Sequence, residues 1–209
     1  MKDNFSLYKD LLPAKDGCVY RVIIINRYKE TGVERETIHF EYLINNYEEL
    51  VNLKPEIVAL SELHKSRVYI RLESISKSDI INLAIINIAR RLQSKTTIDP
   101  HELEKISVMD AYMNNSYYII DIDDNNKVNE IRKYIIKQYT QSEKLSIEDI
   151  NNNIEKYIIA EIPSVTGTHL VVKPFYSNNW SSIYPDVHIL RGAFPAGSLL
   201  YYPDSLANQ

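Results

Sequence analysis

Two stretches of the sequence, YYIIDIDD at Tyr117–Asp124 and PSVTGTHLVVKPF at Pro163–Phe175, decide how the rest of the chain is organised. The first is an apolar strand that ends in carboxylates, and the second is a strand that carries one histidine. Two segments with helical periodicity lie between them, one over about 127–139 and one that starts with the capping pair Ser146 and Asp149. Carboxylates on one strand and an imidazole on another can together hold a metal ion and a phosphate.

The composition is that of one globular domain. The chain has 209 residues, a hydrophobic fraction of 44% and a charged fraction of 25%, which are ordinary values for a soluble domain. Its one cysteine, Cys18, excludes an intrachain disulfide and a multi-cysteine zinc site and suits a reducing compartment. The N-terminus does not resemble a signal peptide and no apolar run is long enough to span a bilayer, so we expect a cytoplasmic protein. The formal net charge of −4 argues against a protein whose main task is to coat DNA.

The first third of the chain predicts a hairpin followed by helices. Strand formers at Cys18–Ile25 and Thr37–Phe40 flank a turn at Glu30–Gly32. Two short helices are expected near 46–53 and 55–64, where apolar residues recur with helical spacing.

The segment Arg67–Glu73 has the cleanest alternation in the sequence and predicts a strand with one polar face. The side chains expected to face the core are Val68, Ile70 and Leu72, and those expected on the polar face are Arg67, Tyr69, Arg71 and Glu73. A strong helix is then predicted over 77–93, with Ser76 and Asp79 as a capping box. Its buried stripe should consist of Ile81, Ala84, Ile88 and Leu92. A further helix should start at Asp99-Pro100.

This order of elements predicts an α+β fold, α/β-like in its alternation, with a central mixed sheet and helices mainly on one face. The other face of the sheet would then be partly open and could carry a functional site.

Asp121 and Asp123 are two residues apart in a strand and therefore project from the same face. Such carboxylates repel each other unless a positive charge lies between them, and Mg²⁺ or Mn²⁺ is the natural choice because both are hard cations bound through oxygen. The same segment could instead form a solvated turn that caps the next helix. Both interpretations remain open from these residues alone.

His169 and Lys173 share one face of their strand, so an imidazole and an ammonium could both reach phosphate oxygens. A histidine in such a place is more often a surface or hydrogen-bonded structural residue. If the strand that starts at Arg67 lies in the same sheet, Arg67 and Arg71 emerge beside the aspartates and could bind a triphosphate or a template phosphate. Ion pairing with Glu73 and other acids is the alternative.

Taken together, the two motifs resemble those of the archaeo-eukaryotic primase, or primase-polymerase, superfamily. In that superfamily an Asp-apolar-Asp motif binds divalent metal, and a small-X-His motif on a neighbouring strand contacts the phosphates of the incoming nucleotide. Asp121 and Asp123 match the first motif, and Gly167-Thr168-His169 matches the second. The superfamily has a third acid further along the chain, for which Asp186 is the first choice and Asp204 the alternative.

The resemblance implies a metal-dependent nucleotidyltransferase that uses Mg²⁺ or Mn²⁺ with a nucleoside triphosphate and a nucleic acid, and that has no membrane partner. Its RRM-like catalytic core would cover 67–190, after an N-terminal hairpin and helices at 17–64 and before a loop-rich segment at 191–209, in one domain of 1–209. The implied metal ligands are Asp121, Asp123 and Asp186, with His169 as a further catalytic residue. The implied phosphate-binding residues are Thr168, His169, Lys173, Arg67 and Arg71. The resemblance also implies a small stand-alone member of the superfamily, from a phage, another virus or a mobile element, with a role in DNA replication.

Two other functions fit the same residues. A non-catalytic nucleic-acid-binding module would use arginines and tyrosines such as Tyr69 and Tyr176 on the open face, and would need no metal. A metal-dependent nuclease or phosphoesterase would use the same carboxylates with water as the nucleophile. The sequence has no Walker-type glycine loop, no Gly-X-Ser-X-Gly and no His-Glu-X-X-His motif, which removes the commonest signatures of P-loop NTPases, α/β-hydrolases and metalloproteases.

Overall fold

The computed structural model describes residues 2–27, 37–97, 99–111, 117–191 and 197–207. These residues form ten strands and seven α-helices, so the fold is α+β, as predicted. The turn predicted at Glu30–Gly32 lies outside the described residues. In the part of the chain that the structure describes, no helix combines the length and the apolar character needed to cross a membrane.

The strands are β1 (Lys2–Asp3), β2 (Cys18–Asn26), β3 (Thr37–Ile44), β4 (Arg67–Ile70), β5 (Ile75–Ser76), β6 (Tyr118–Ile122), β7 (Ile158–Pro163), β8 (Thr168–Val172), β9 (His188–Arg191) and β10 (Ser198–Tyr202). The α-helices are α1 (Tyr47–Leu63), α2 (Lys77–Gln93), α3 (Pro100–Ala111), α4 (Val128–Glu143), α5 (Ile147–Asn151), α6 (Trp180–Ile183) and α7 (Asp204–Ala207). Short 3-10 turns lie at Phe5–Tyr8, Asn125–Lys127 and Ile154–Lys156.

The strands form two antiparallel sheets, so the prediction of one central mixed sheet was wrong. The first sheet has the order β1-β10-β4-β2-β3, with β5 added to β2, and the second has the order β7-β8-β6-β9. Every strand pairing within the described residues is antiparallel. The chain forms two sheets instead of one because β10, from the C-terminal segment, pairs with β4 and β1 and so completes the first sheet separately from the second. Alternation in a sequence reveals a strand but not its partner.

The N-terminal hairpin is confirmed, since β2 and β3 pair from Tyr20 opposite Ile44 to Asn26 opposite Thr37. The next segment differs from the prediction, because α1 is one continuous helix that contains Pro55. A proline inside a helix removes one backbone donor and usually kinks or ends the helix.

Burial explains why α1 nevertheless continues through its proline. Leu50 and Ile57, on the two sides of Pro55, are both fully buried in the core that the helix shares with the first sheet. The apolar contacts of both halves of the helix therefore offset the cost of the proline.

Strand β4 is shorter and more buried than predicted. Val68 and Ile70 are fully buried in the main core, while Tyr69, on the opposite face, is only 5% exposed and packs with Leu199. The expected open polar face therefore does not exist at this strand.

Helix α2 has the predicted bounds, but its apolar stripe is not buried as predicted. Ile81 and Leu92 are 59% and 64% exposed. The buried residue is Asn87, whose amide donates hydrogen bonds to Ser107 and Asp110 of α3. A polar contact between two helices has thus set which side of α2 faces inward.

Helix caps were predictable in part. Ser146 and Asp149 form the reciprocal capping box predicted at α5. At α2, Ser76 instead accepts a hydrogen bond from the backbone N–H of Ser78. Helix α3 starts at Pro100, as predicted.

The second sheet is covered on both faces. On one face Ile119, Ile162 and Val171 pack into the core that includes the first sheet. On the other face Ile120, Ile122, Leu170 and Val172 pack against α4 and α5. Because Asp121 is two residues from Ile119, its side chain points toward the first sheet rather than onto an open face.

Because β10 lies in the main core, we expect its side chains to contribute strongly to the stability of the fold. Leu200 of β10 is fully buried in the main core, whereas Leu63 at the end of α1 is 74% exposed. We expect Leu200→Ala to lower the free energy of unfolding by about 2–5 kcal/mol, and Leu63→Ala to change it by less than about 0.5 kcal/mol. Urea denaturation of the two variants measures both values. Equal effects would contradict the placement of β10 in the core.

Candidate functional site

Three polar side chains form one row across adjacent strands of the second sheet. Asp121 on β6 lies directly opposite His169 on β8 and directly opposite His188 on β9. Residues that face each other across antiparallel strands project on the same side of the sheet. The carboxylate therefore has an imidazole side chain on each of its two neighbouring strands.

The two motif residues of this row are in contact. Nε2 of His169 lies 3.3 Å from Oδ1 of Asp121, and Nδ1 accepts a hydrogen bond of 3.4 Å from the backbone N–H of Leu199 in β10. Because Nδ1 acts as an acceptor, the ring proton is on Nε2 and is donated to Asp121. His169 is only 6% exposed, whereas 31% of the Asp121 side chain is exposed. The pair thus joins the two sheets, with the carboxylate on its solvent side.

Burial and nearby positive charge have opposite effects on the pKa of the Asp121 carboxyl. Burial, the largest single influence, raises the pKa of this carboxyl. The hydrogen bond from His169, together with the electrostatic effects of His169, Arg27 and His188, outweighs it and leaves the pKa below its ordinary value. Asp121 is therefore ionised near neutral pH.

Arg27 and His188 were not predicted as site residues. His188 faces Asp121 because of the register between β6 and β9, and Arg27 follows β2 of the first sheet. Neither lies in a motif: His188 is brought to Asp121 by strand pairing within the second sheet, and Arg27 acts on it from the first sheet. The only sequence signal for His188 is that it begins a short apolar strand two residues after Asp186.

Asp123 lies just beyond the end of β6 and is exposed. Its Oδ1 accepts a hydrogen bond from the hydroxyl of Thr166. Gly167 allows this approach, since a Cβ at that position would lie 2.8 Å from Cα of Asp123 and would collide with the carbonyl oxygen of Ile122. Packing of the corner against the end of β6 therefore explains the small residue of the second motif.

Thr168 has a structural contact. It pairs with Ile122, is 8% exposed, and donates a hydrogen bond of 2.8 Å from Oγ1 to Oδ1 of Asn125. Alternation places it on the opposite face of β8 from His169. Its hydroxyl ties β8 to the turn after β6, on the side away from the Asp121 row.

Lys173 lies apart from the row. Its ammonium stands 5.4 Å from the ring centroid of Tyr157, which belongs to the helix-side core. Lys173 follows β8 at the end away from His169, about 13 Å along an extended chain. The sequence predicted that Lys173 and His169 would bind the same phosphate together. This arrangement does not place the two side chains together.

The two predicted arginines have partners within the fold. Arg71 forms an ion pair with Glu73 at 3.0 Å, which is the alternative interpretation of the sequence. Nη1 of Arg67 donates a hydrogen bond of 3.1 Å to the hydroxyl of Tyr69, and its guanidinium lies 5.2 Å from the ring centroid of Tyr202. Arg27, rather than either of these, is the arginine that acts on Asp121.

The expected three-acid metal site is not assembled. The Asp186 side chain is 80% exposed and lies 3.7 Å from Nζ of Lys127, and the backbone N–H of Asp204 donates to Glu62 of α1. Among the residues that the structure describes, no three His, Cys, Asp or Glu side chains are grouped to hold a metal ion. The position on β9 that faces Asp121 is occupied by His188 instead of an acid.

An apolar cleft continues from the row along β6. The next row in register consists of Val171, Ile119 and Leu190, and these side chains line the cleft together with Arg71, Leu72, Glu73 and Tyr117. Residues two apart on a strand are about 7 Å apart, so Asp121 lies at the edge of this cleft. A charged group bound at Asp121 could therefore carry a flat or apolar part into the cleft.

The opposing influences on the pKa of Asp121 predict how that pKa changes when His169 is replaced. In His169→Leu, burial remains while the main opposing influence is lost, so the pKa of Asp121 rises relative to that of the unchanged protein. Titration of the Asp121 carboxyl carbon by NMR measures the shift. His188→Gln should raise the pKa less, because His188 contributes only a weaker electrostatic effect. A larger shift in His188→Gln would contradict the assignment.

The close approach at Gly167 gives a second prediction. We expect Gly167→Ala to lower the free energy of unfolding by about 1–3 kcal/mol, since the added methyl group must displace the main chain at Ile122 and Asp123. Gly17→Asn is the control, because Gly17 has a φ of +65° and open space around it, a conformation that asparagine tolerates. Denaturant unfolding that shows no difference between the two variants would refute the packing explanation.

Comparison of the chain with models of protein families, with curated proteins and with solved structures finds no match. The function of the site is therefore inferred from its own side chains and from the two short motifs that resemble those of the primase superfamily.

Proposed function

We propose that the second sheet is a primase-polymerase-like core and that the row around Asp121 is a metal-dependent nucleotidyltransferase site. The observation that carries the proposal is the register of the two motifs. Asp121 from the first and His169 from the second lie opposite each other on adjacent strands, 3.3 Å apart. Two short motifs that match by chance would not be expected to lie on neighbouring strands and also in contact.

The order of the strands supports an RRM-like core. In chain order β6 is followed by α4 and α5, then by β7 and β8, then by α6 and β9. In the antiparallel sheet the first and third of these strands, β6 and β8, occupy the centre, with β7 and β9 at the edges. This order is the one expected of the split β-α-β arrangement of ferredoxin-like and RRM folds, and it supports the proposal.

The carboxylates fit a hard divalent cation. The hydrogen bonds from described side chains to Asp121 and Asp123 both engage Oδ1, so each Oδ2 is the oxygen through which a cation would bind. Mg²⁺ usually takes one or two protein carboxylates and completes its coordination with waters and substrate phosphates. A third protein acid is therefore not required. When bound, the cation would supply neutralisation of the charge that builds on a transferred phosphoryl group.

The other residues of the row would position and attract the substrate. Arg27 adds positive charge beside Asp121, which favours a triphosphate or a nucleic-acid backbone, and the His188 imidazole faces the same carboxylate from β9. His169 fixes the orientation of the Asp121 carboxylate through Nε2 and is itself fixed by Leu199. In this arrangement His169 is a positioning residue, and direct contact with a phosphate would require one of its two hydrogen bonds to break.

A non-catalytic nucleic-acid-binding module is the second candidate. It is favoured by the burial of His169, which is 6% exposed, and by the engagement of both of its ring nitrogens. A histidine held in this way can be purely structural. Such a module would bind the backbone through Arg27 and His188 without a metal.

Nucleotide incorporation on a primed template with Mg²⁺ or Mn²⁺ tests the proposal. We expect Asp121→Asn to reduce incorporation by at least about 100-fold, because it removes a carboxylate charge while keeping the shape of the side chain. The matched control is Asp124→Asn. Asp124 caps the turn at Asn126 through Oδ1, a role that asparagine fills equally well, so incorporation should be unchanged.

Three outcomes would count against the transferase. Metal binding that survives Asp121→Asn combined with Asp123→Asn would refute the metal site. Metal-dependent hydrolysis of nucleic acid without incorporation would favour a nuclease. Nucleic-acid binding that is indifferent to both metal and substitution would favour the non-catalytic module.

A further inference from the structure

The row around Asp121 becomes steadily more exposed from one edge of the second sheet to the other. In register across the sheet it consists of Ile162 on β7, His169 on β8, Asp121 on β6 and His188 on β9. Ile162 and His169 are 1% and 6% exposed, 31% of the Asp121 side chain is exposed, and His188 is fully in the exposed class of residues. Within the described residues, a ligand therefore reaches the Asp121 carboxylate from the β9 edge.

The two histidines of the row differ in how their ring nitrogens are used. In His169, Nε2 lies 3.3 Å from Oδ1 of Asp121 and Nδ1 accepts the backbone N–H of Leu199, so both nitrogens are engaged. Among the described residues, no group forms a hydrogen bond or a close ion pair with the imidazole of His188. An imidazole has at least one N–H donor in either protonation state. His188 can therefore donate to a ligand without losing a bond that the fold uses.

The neighbours of His188 along β9 show which way its side chain points. Ile189 packs in the core on the helix side of the second sheet, whereas Leu190 lines the cleft on the opposite side. Because side chains alternate along a strand, His188 projects on the same side as Leu190. This is also the side of Asp121, the residue that His188 faces in register.

The charges around this edge determine what kind of ligand His188 would meet. The Asp121 carboxylate by itself repels an anion, but Arg27 acts on it from the first sheet, and a bound Mg²⁺ would complete its coordination with substrate phosphates. A phosphate brought to Asp121 thus enters beside an exposed N–H donor. Phosphate oxygens are strong acceptors of such hydrogen bonds.

We propose that His188, rather than the motif histidine His169, donates the hydrogen bond to a phosphate oxygen of the substrate, and that the bound group is the polyphosphate of a nucleoside triphosphate. His169 keeps the separate task of orienting the Asp121 carboxylate. The role that the resemblance implies for a histidine of β8 is thus carried out from β9. The identity of the substrate rests on the proposed function, but the contact itself can be tested without catalysis.

Nitrogen-15 NMR of the histidine rings tests the contact in the unchanged protein. In the presence of Mg²⁺, inorganic triphosphate should shift the ring signals of His188, because a new acceptor changes its hydrogen bonding. The signals of His169 should stay nearly in place, since both of its nitrogens keep their partners. Spectra of His188→Gln and His169→Gln identify the two sets of signals.

Replacement of His188 tests how much the contact contributes to binding. We expect His188→Ala to weaken the binding of inorganic triphosphate at least about tenfold, and His188→Arg to retain binding because a guanidinium also donates to phosphate. In nucleotide incorporation, His188→Ala should raise KM by a similar factor while kcat stays within about threefold. Loss of a purely structural residue would not produce this split.

Lys173→Ala is the matched control for these measurements. Its side chain is exposed and lies beyond the end of β8 that is distant from His169. Removing this ammonium should change the affinity for triphosphate by less than about twofold, because salt screens exposed charges over such distances.

Four outcomes would overturn the proposal. They are a chain that binds no triphosphate, a His188→Ala variant that binds it as tightly as the unchanged chain, a shift of the His169 signals instead of those of His188, and a larger His188 shift with Mg²⁺ alone, which would make His188 a metal ligand. Triphosphate binding through His188 without incorporation would refute the transferase and support the contact. Incorporation with a KM that His188→Ala leaves unchanged would refute the contact and support the transferase.

Discussion

The hydrogen-bonded chain from the backbone of Leu199 through His169 to Asp121 is the interaction on which the candidate site depends. It links β10 of the first sheet to β8 and β6 of the second, so that one imidazole sets both the contact between the sheets and the direction of the carboxylate. A buried histidine with two hydrogen-bond partners has little freedom to turn. The carboxylate that it holds is therefore preorganised before any ligand arrives, which is the condition under which a charged group acts most effectively.

This arrangement also sets how the site responds to acid. Because the pKa of Asp121 is lower in the folded chain than its ordinary value, the ionised carboxylate stabilises the fold at all pH values above the ordinary carboxyl range. That stabilisation is lost as the pH falls through the folded-state pKa. Near neutral pH Asp121 is ionised and accepts the hydrogen bond from Nε2 of His169.

Local features of the fold could be predicted from the sequence because they depend on neighbouring residues. The β2–β3 hairpin, the bounds of α2, the start of α3 at Pro100 and the Ser146 capping box all belong to this group. The features that were missed depend on contacts distant in sequence. Alternation in β4 does not reveal that a second cluster covers Tyr69, and helical spacing in α2 does not reveal that Asn87 rather than Ile81 faces α3. At the site, the two motifs pointed to Asp121 and His169, whereas His188 joins them through the register between β6 and β9 and Arg27 acts from the other sheet.

The pairing of β1 with β10 has a consequence for how the chain becomes folded during synthesis. Lys2 lies opposite Tyr202, so the first sheet closes over a separation of about 200 residues, and contacts of such length form slowly because a long loop must be ordered first. Until residues 198–202 leave the ribosome, β4 lacks its β10 partner and His169 lacks the Leu199 donor. The second sheet, whose four strands lie within 118–191, can assemble earlier. During that interval the nascent chain would present an unpaired β4 edge, which is the kind of surface that chaperones protect.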